Sequence, residues 1–278
     1  MTVRVARLVA CAIAIGMGLA MIWANAFSWE LEDWRTYLLA AERVANGGSV
    51  YDWTAGPEYV YRYAPWFIYA LVPFLALPRW AADLLWSAIV LGGVLMASLP
   101  LMRQRSWAAV AIAVLGAGLL MRVASTGNVN SLMVGALVLG INSRFGPLIV
   151  ALAASLKATP LLFVAVFVAE RRWVAAGVSG GLTLILVAPI VWLGYEATPG
   201  PSDSLFSQSI VLWAFVAVVA TAGLAILTLR RSRYVGLAAG TAAYLALPRA
   251  FLYDIALVLP GATSGRRGSR RARPRNDR

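Results

Sequence analysis

Residues 30–48 read ELEDWRTYLLAAERVANGG and directly follow an apolar run, Leu8–Phe27, long enough to cross a bilayer. Taken as a helix, Asp33–Asn46 puts Trp34, Tyr37, Leu38, Ala41 and Ala45 on one face. Arg35, Glu42 and Asn46 fall on the other, with Arg43 close by. Gly47-Gly48 supplies the stop, because glycine enters the left-handed conformation that ends helices. A helix of this kind after a span predicts an extracytoplasmic loop, residues 28–60, carrying an amphipathic helix in the membrane interface. Trp29, Trp34 and Trp53 are its expected anchors, since tryptophan favours that layer. The loop also gathers Glu30, Glu32, Asp33, Glu42, Asp52 and Glu58, half of the 12 acidic residues in the chain.

Outward from this loop the chain is strongly apolar. Of its 278 residues, 61% are hydrophobic and 13% charged, against about 25% charged in soluble domains. Several further runs approach the roughly 20 residues that a helical span needs. The runs are continuous rather than alternating, so helices and not a barrel satisfy the backbone in lipid. The expected fold is all-α: a polytopic transmembrane helical bundle of about eight spans, forming one domain over 1–260. Arg4 and Arg7 precede the first run, which is too long for a signal-peptide core and reads as an uncleaved span. Ala81–Met102 is a clean run and Trp107–Met121 follows it; Trp173–Tyr195 and Ile210–Leu229 are further spans, and Phe145–Ala169 is long enough to cross once. Tyr63–Leu77 is interrupted by Pro65 and Pro73 and reads as a short span or a re-entrant hairpin. Ser131–Ile141 is short, and Val235–Pro260 is the last run.

The net charge of +12 does not point to nucleic acid. Residues 266–278 hold seven arginines against Asp277, which is half of that charge. The rest sits in short loops, as membrane topology requires. The tail 261–278 reads as a disordered, arginine-rich arm, able to touch anionic headgroups. The single cysteine, Cys11, excludes an intrachain disulfide, and the absence of histidine excludes Ser-His and His-metal chemistry. Proton transfer is left to Asp, Glu, Tyr or Lys157. No Asp-x-Asp cluster is present, so neither a metal nor another cofactor is expected.

Four places can carry chemistry. Asp33 stands at the start of the loop helix, as an N-cap or as a general base beside a membrane-facing cleft. Lys157, the only lysine beside 23 arginines, lies inside an apolar run. A cation there is either a snorkelling side chain or a site for an anion such as a lipid-linked phosphate. Pro160 breaks the helix beside it. The island TGNVNS at 126–131 is a turn between helices, or offers Asn128 and Asn130 to sugar hydroxyls or phosphate. In LPRAFLYD at 247–254, Arg249 meets a phosphate or pairs with Asp254.

The order of these elements resembles glycosyltransferase family 87, membrane mannosyltransferases of the GT-C superfamily that use polyprenyl-phosphate mannose. The resemblance runs over roughly 5–260. It rests on Asp33, Trp34, Tyr37, Ala40-Ala41, Gly47-Gly48 and Tyr51-Asp52 in the loop, and on Tyr61-Arg62-Tyr63-Ala64-Pro65 entering the next helix. Gly127-Asn128-Val129-Asn130, Leu156-Lys157-Ala158-Thr159-Pro160 and Pro248-Arg249 with Tyr253-Asp254 follow. Ala64 replaces a proline, Asn128 a glutamine and Arg249 a histidine of the family pattern. The resemblance implies a GT-C architecture with Asp33 as catalytic base, Lys157 and Arg249 binding the donor phosphate, and Tyr37, Tyr63, Asn128, Asn130 and Asp254 binding substrate. It implies a polyprenyl-phosphate sugar donor, a cell-envelope glycolipid or glycan acceptor, and contact with membrane lipids. The site would face the extracytoplasmic side of a bacterial plasma membrane. The alternatives are a transporter or flippase for a lipid-linked anion, or a C-terminally truncated, inactive relative. Transporters often carry an internal repeat, and none is found in this sequence.

Overall fold

The computed structural model describes residues 3–51, 61–104, 106–195, 206 and 209–264. Its regular elements there are all helical. They are α1 (Val3–Ala26), α2 (Glu32–Ala45), α3 (Pro65–Leu71), α4 (Arg79–Met102), α5 (Trp107–Ser125), α6 (Asn130–Gly140), α7 (Gly146–Leu156), α8 (Val164–Ala169), α9 (Trp173–Val187), α10 (Ile210–Leu229), α11 (Val235–Leu245) and α12 (Leu259–Ser264). Short 3-10 turns follow α3, α7, α9 and α11. Asp52, Trp53, the loop EATPGPSDS and the arginine-rich tail beyond 264 lie outside the described residues; α12 itself ends at Ser264.

Five of the described helices are long and apolar enough to cross a membrane: Val3–Ala26, Arg79–Met102, Trp107–Ser125, Trp173–Val191 with its 3-10 turn, and Ile210–Leu229. The other expected crossings are shorter, broken segments. Pro65–Ala76 starts with proline at the first helical position, where no N–H is lost, and tightens to 3-10 at Pro73. It covers about 20 Å, short of the roughly 30 Å hydrocarbon core.

Phe145–Ala169 is not the single crossing helix its length suggested. α7 stops at Leu156, Lys157 is extended (φ −134°, ψ 123°), and a 3-10 turn over Thr159–Phe163 leads into α8. Pro160 explains the break, since it has no N–H to donate to the carbonyl four residues back, that of Leu156, and its ring would clash with that carbonyl in a continued helix. The last run is broken likewise, into α11, the 3-10 turn Leu252–Val258 and α12.

The bundle centres on α4, α5 and α6, with α1 against α5 and α7 against α9. Small residues allow the close crossings: a Cβ on Gly18 would lie 2.5 Å from the Val114 carbonyl oxygen, and one on Gly93 would lie 2.4 Å from Leu132 N. Membrane helices pack through such small residues because lipid provides no hydrophobic drive between helices. Leu184, Ile185, Val211, Phe215 and Val218 point outward, as lipid-facing residues do.

Loop helix α2 is amphipathic, but its apolar face is buried in protein. Trp34, Tyr37, Leu38, Ala40 and Ala41 are buried against α3, its 3-10 turn and α4, while Arg35, Leu39, Glu42 and Ala45 are exposed. Trp34 is therefore not an interfacial anchor. It is fully buried, stacks on Trp86 at 4.6 Å and 10°, and donates its indole N–H to Asp83 Oδ1 at 2.8 Å. Ala45, expected on the apolar face, is exposed at the open end of the helix.

Candidate functional site

The site begins where two helix ends meet. α5 finishes on Gly127, in the left-handed region at φ +75°, with Gly127 N donating to Ala124 O and Asn128 N to Val123 O. These two bonds satisfy the last carbonyls of the helix. The next carbonyls, of Ser125 and Thr126, accept the N–H groups of Leu31 (3.1 Å), Asp33 (2.9 Å) and Trp34 (3.4 Å) at the start of α2. Orphan acceptors of one helix thus serve orphan donors of another, and their opposite dipole ends attract. The N-cap of α2 is Leu31, at φ 51° and with no side-chain cap, so Asp33 is not the N-cap.

The Asp33 carboxylate is left for other work. Its Oδ2 accepts from Thr126 Oγ1 at 2.7 Å and from Asn128 Nδ2 at 3.2 Å. The same Asn128 amide donates to the Tyr63 hydroxyl at 3.2 Å, and its Oδ1 accepts the Asn130 N–H at 3.0 Å. Asn130 Nδ2 reaches Asp254 Oδ1 at 3.4 Å, and Lys157 Nζ holds that oxygen at 2.9 Å. Asp254 Oδ2 takes the N–H of Phe251 at 3.1 Å. One hydrogen-bonded chain therefore joins Asp33, Asn128, Asn130, Asp254 and Lys157, drawn from α2, the α5–α6 turn, the break after α7 and the turn after α11.

Burial makes this chain costly to leave unpaired. The side chain of Asp254 is 2% exposed and that of Lys157 is 19% exposed. Lys157 sits at the C-terminal end of α7, where the dipole favours a cation. Asp254 pairs with Lys157, so Lys157 is not a snorkelling side chain. Arg249 lies near Arg62, whose guanidinium pKa is lowered by burial first and by the Arg249 charge second. Asn130 Oδ1 and Thr159 Oγ1 are buried without a hydrogen-bond partner.

An aromatic wall closes one side. Tyr37 stands edge-on to Tyr61, Tyr63, Phe67 and Trp86, at 5.4–6.4 Å between ring centres. Burial raises the phenol pKa of Tyr37 and Tyr63, and the Asp33 charge raises both further, so both hydroxyls stay protonated at neutral pH. The Tyr37 hydroxyl is buried near Tyr63 and Val129 with no hydrogen bond of good geometry.

Seven of the eight residues expected from sequence thus form one cluster, and Arg249 sits beside Arg62. Sequence reasoning passed over Thr126, Arg62 and the stacked pair Phe251–Tyr253, at 5.3 Å and 13°. It weighed Tyr253 only as part of its motif. Thr126 lies inside the amide-rich island and Arg62 between two tyrosines, so composition flagged both neighbourhoods without singling out either residue. Among the described residues, no three His, Cys, Asp or Glu side chains gather to hold a metal ion.

Gly127 permits all of this. A Cβ there would stand 2.7 Å from the Trp34 Cβ, in a backbone region where side chains are strained. Gly127→Ala is expected to cost about 2–5 kcal/mol from left-handed strain and overpacking. A lowered unfolding temperature of the detergent-solubilised protein checks this, and an unchanged one refutes it.

The fold and this cluster define a class, a polytopic helical membrane protein with a carboxylate and a cation held in one partly buried polar network. Glycosyltransferase family 87 matches residues 61–205, just over half of the chain, and the chain belongs to that family. No curated protein and no solved structure matches it. It is thus a membrane glycosyltransferase by family, and the transporter alternative is set aside. The matched range contains Tyr63, Asn128, Asn130 and Lys157; Asp33, Tyr37, Arg249 and Asp254 lie outside it.

Proposed function

We propose that this chain transfers mannose, or another hexose, from a polyprenyl-phosphate donor to a hydroxyl of a cell-envelope glycolipid or glycan. The reaction would run at the outer face of a bacterial plasma membrane, in a GT-C architecture. The observation that carries the reading is the joining of Asp33 to Lys157 through Asn128, Asn130 and Asp254. A base and a phosphate-binding cation belong together when a sugar is displaced from a phosphate.

In this reading Thr126 and Asn128 hold Asp33 by Oδ2. Among the described residues no hydrogen bond occupies Oδ1, which takes the proton of the acceptor hydroxyl. That oxygen bonds to the anomeric carbon as the carbon–phosphate-oxygen bond breaks, its electron pair leaving with the polyprenyl phosphate, and the configuration inverts. An ammonium has three N–H donors. Lys157 spends one on Asp254 and offers the others to the phosphate, with Arg249 as the second cation of the proposed phosphate site. Preorganised charge at a leaving group is commonly the largest catalytic contribution. Tyr37, Tyr63, Asn130 and Asp254 shape the sugar pocket.

A lipid donor also needs an apolar seat. A cavity of about 330 Å³ lies between α3, α4, α6 and α7, lined by Trp66, Phe67, Phe74, Met133 and Leu156 among others. Leu156, which lines this cavity, is the residue before Lys157, and in this reading a chain seated there carries its phosphate toward that lysine.

The test incubates membranes containing the protein with radiolabelled polyprenyl-phosphate mannose and a lipid extract. A labelled glycolipid or glycan is expected. Transfer from a nucleotide sugar with no polyprenyl phosphate present overturns the donor class. No label from any polyprenyl-phosphate hexose overturns the reading altogether.

A further inference from the structure

Asp83 and Trp86 lie three residues apart on α4 and so share one face of it. Among the described residues, neither has a side-chain hydrogen bond to Asp33, Asn128, Asn130, Asp254 or Lys157. Each nevertheless holds one of the parts that position Asp33. Asp83 Oδ1 accepts the Trp34 indole N–H at 2.8 Å, and Trp34 is the neighbour of Asp33 on α2. Trp86 donates its own indole N–H to the Gly127 carbonyl at 2.7 Å, and Gly127 stands between Thr126 and Asn128. Those two residues grip Asp33 Oδ2.

The two indoles then stack on each other, at 4.6 Å and 10°, with the Phe74 ring edge-on to both. The result is a closed circuit. It runs from the Asp33 carboxylate through Thr126 and Asn128 to Gly127, then Trp86, Trp34 and back along the backbone to Asp33. Arg79 steadies the outer end, its Nε 3.0 Å from Asp83 Oδ1. The interior of the circuit is tight, as the missing Cβ of Gly127 shows.

We propose that Asp83 and Trp86 are positioning residues for Asp33, with α4 acting as the common jig for the carboxylate and for the groups that orient it. A flat stacked pair with both N–H groups anchored resists sliding and rotation, so it holds α2 and the α5–α6 turn in register. Reaction geometry is sensitive to such register: a misplacement of about 1 Å can cost about 100-fold in rate. Any buried indole N–H needs an acceptor; what points to registration is where the two acceptors lie, one on α4 for the neighbour of Asp33 and one in the turn whose residues grip Asp33 Oδ2.

The inference rests on the reading of Asp33 as the base, and the experiment separates the two. Asp83→Ala, Asp83→Asn, Trp86→Phe and Asp33→Asn are measured in the full-length protein with the polyprenyl-phosphate mannose assay. Asp83→Ala and Trp86→Phe are expected to lower kcat by about 10- to 100-fold, with KM for donor and acceptor within about twofold of wild type. Asp83→Asn, which keeps an oxygen acceptor for Trp34, is expected to stay near the wild-type kcat. In the Asp33→Asn background Asp83→Ala is expected to add no further loss.

Wild-type kcat for both Asp83→Ala and Trp86→Phe, with only a lower unfolding temperature, overturns the inference and leaves a structural role. An equal loss from Asp83→Ala with and without Asp33 overturns it as well. Full activity of Asp33→Asn instead sinks the assignment of the base. If Asp83→Ala fails to fold, Trp86→Phe carries the same test, because it keeps an aromatic ring on α4 while removing the indole N–H with the pyrrole part of the ring.

Discussion

Replacing Asp33 by Asn is expected to lower transfer from polyprenyl-phosphate mannose by about 10²–10⁴-fold, the span that general-base catalysis contributes. The amide is nearly isosteric and its oxygen can still accept from Thr126 and Asn128. The geometry of the site is therefore retained while the proposed proton acceptor is lost. The substitution should reduce kcat and leave KM for both substrates close to wild type, the pattern of a group that acts in the transition state. It should also leave the unfolding temperature within a degree or two of wild type, about what a surface-like change of under 1 kcal/mol produces. Comparable labelling by wild type and variant would show that Asp33 is not the base. With no histidine in the chain, the search would then move to the other carboxylate of the network, Asp254.

The second large effect is expected at Lys157. Lys157→Met should lower transfer by about 10²–10³-fold, since in the proposed reaction it removes the charge that meets the leaving phosphate. Unlike the change at Asp33, it should also destabilise the protein. Asp254 is buried, and its Oδ1 would lose the ammonium at 2.9 Å while keeping only Asn130 at 3.4 Å. Removing one partner of a buried ion pair typically costs about 3–5 kcal/mol, because the remaining charge is stranded. The double substitution Lys157→Met with Asp254→Asn separates the two consequences. It strands no charge, so much of the stability should return, while transfer stays low. A double variant as unstable as the single one would mean that the loss comes from packing around the α7 break and not from charge. A double variant with restored transfer would remove Lys157 from the phosphate site.

Much of this arrangement was legible in the chain, for identifiable reasons. The long spans showed themselves by composition alone, and Ile210–Leu229 has the bounds that its apolar run suggested. The α2 helix is within a residue of the Asp33–Asn46 expectation, because Gly47, at φ 78°, ends it as a glycine should. Lys157 and the amide island stood out because polar residues in apolar runs are rare. What was misread depended on neighbours. Trp34 has the pattern of an interfacial anchor, yet Trp86 and Asp83, about fifty residues away, supply a stacking face and an acceptor that draw it into the core. Asp33 has the position of an N-cap, but Ser125 and Thr126 satisfy the α2 amides from another helix and free its side chain. The partner of Asp254 was equally open. Arg249, five residues before it, was the local candidate, and the break after α7 brings Lys157 instead.

By itself the sequence determined the helical membrane class, the breaks at its prolines and the shortlist of polar residues. Each of these follows from composition or from backbone chemistry within a few residues. Only the tertiary structure decided that Asp33, Asn128, Asn130, Asp254 and Lys157 form one connected chain, and that the Trp34 indole of α2 stacks on the Trp86 indole of α4 beside its acidic end. Hydrogen bonds between segments 90 or more residues apart, and a ring contact between helices about fifty apart, depend on how helices cross. That is set by the sum of many small packing contacts, which no local pattern encodes.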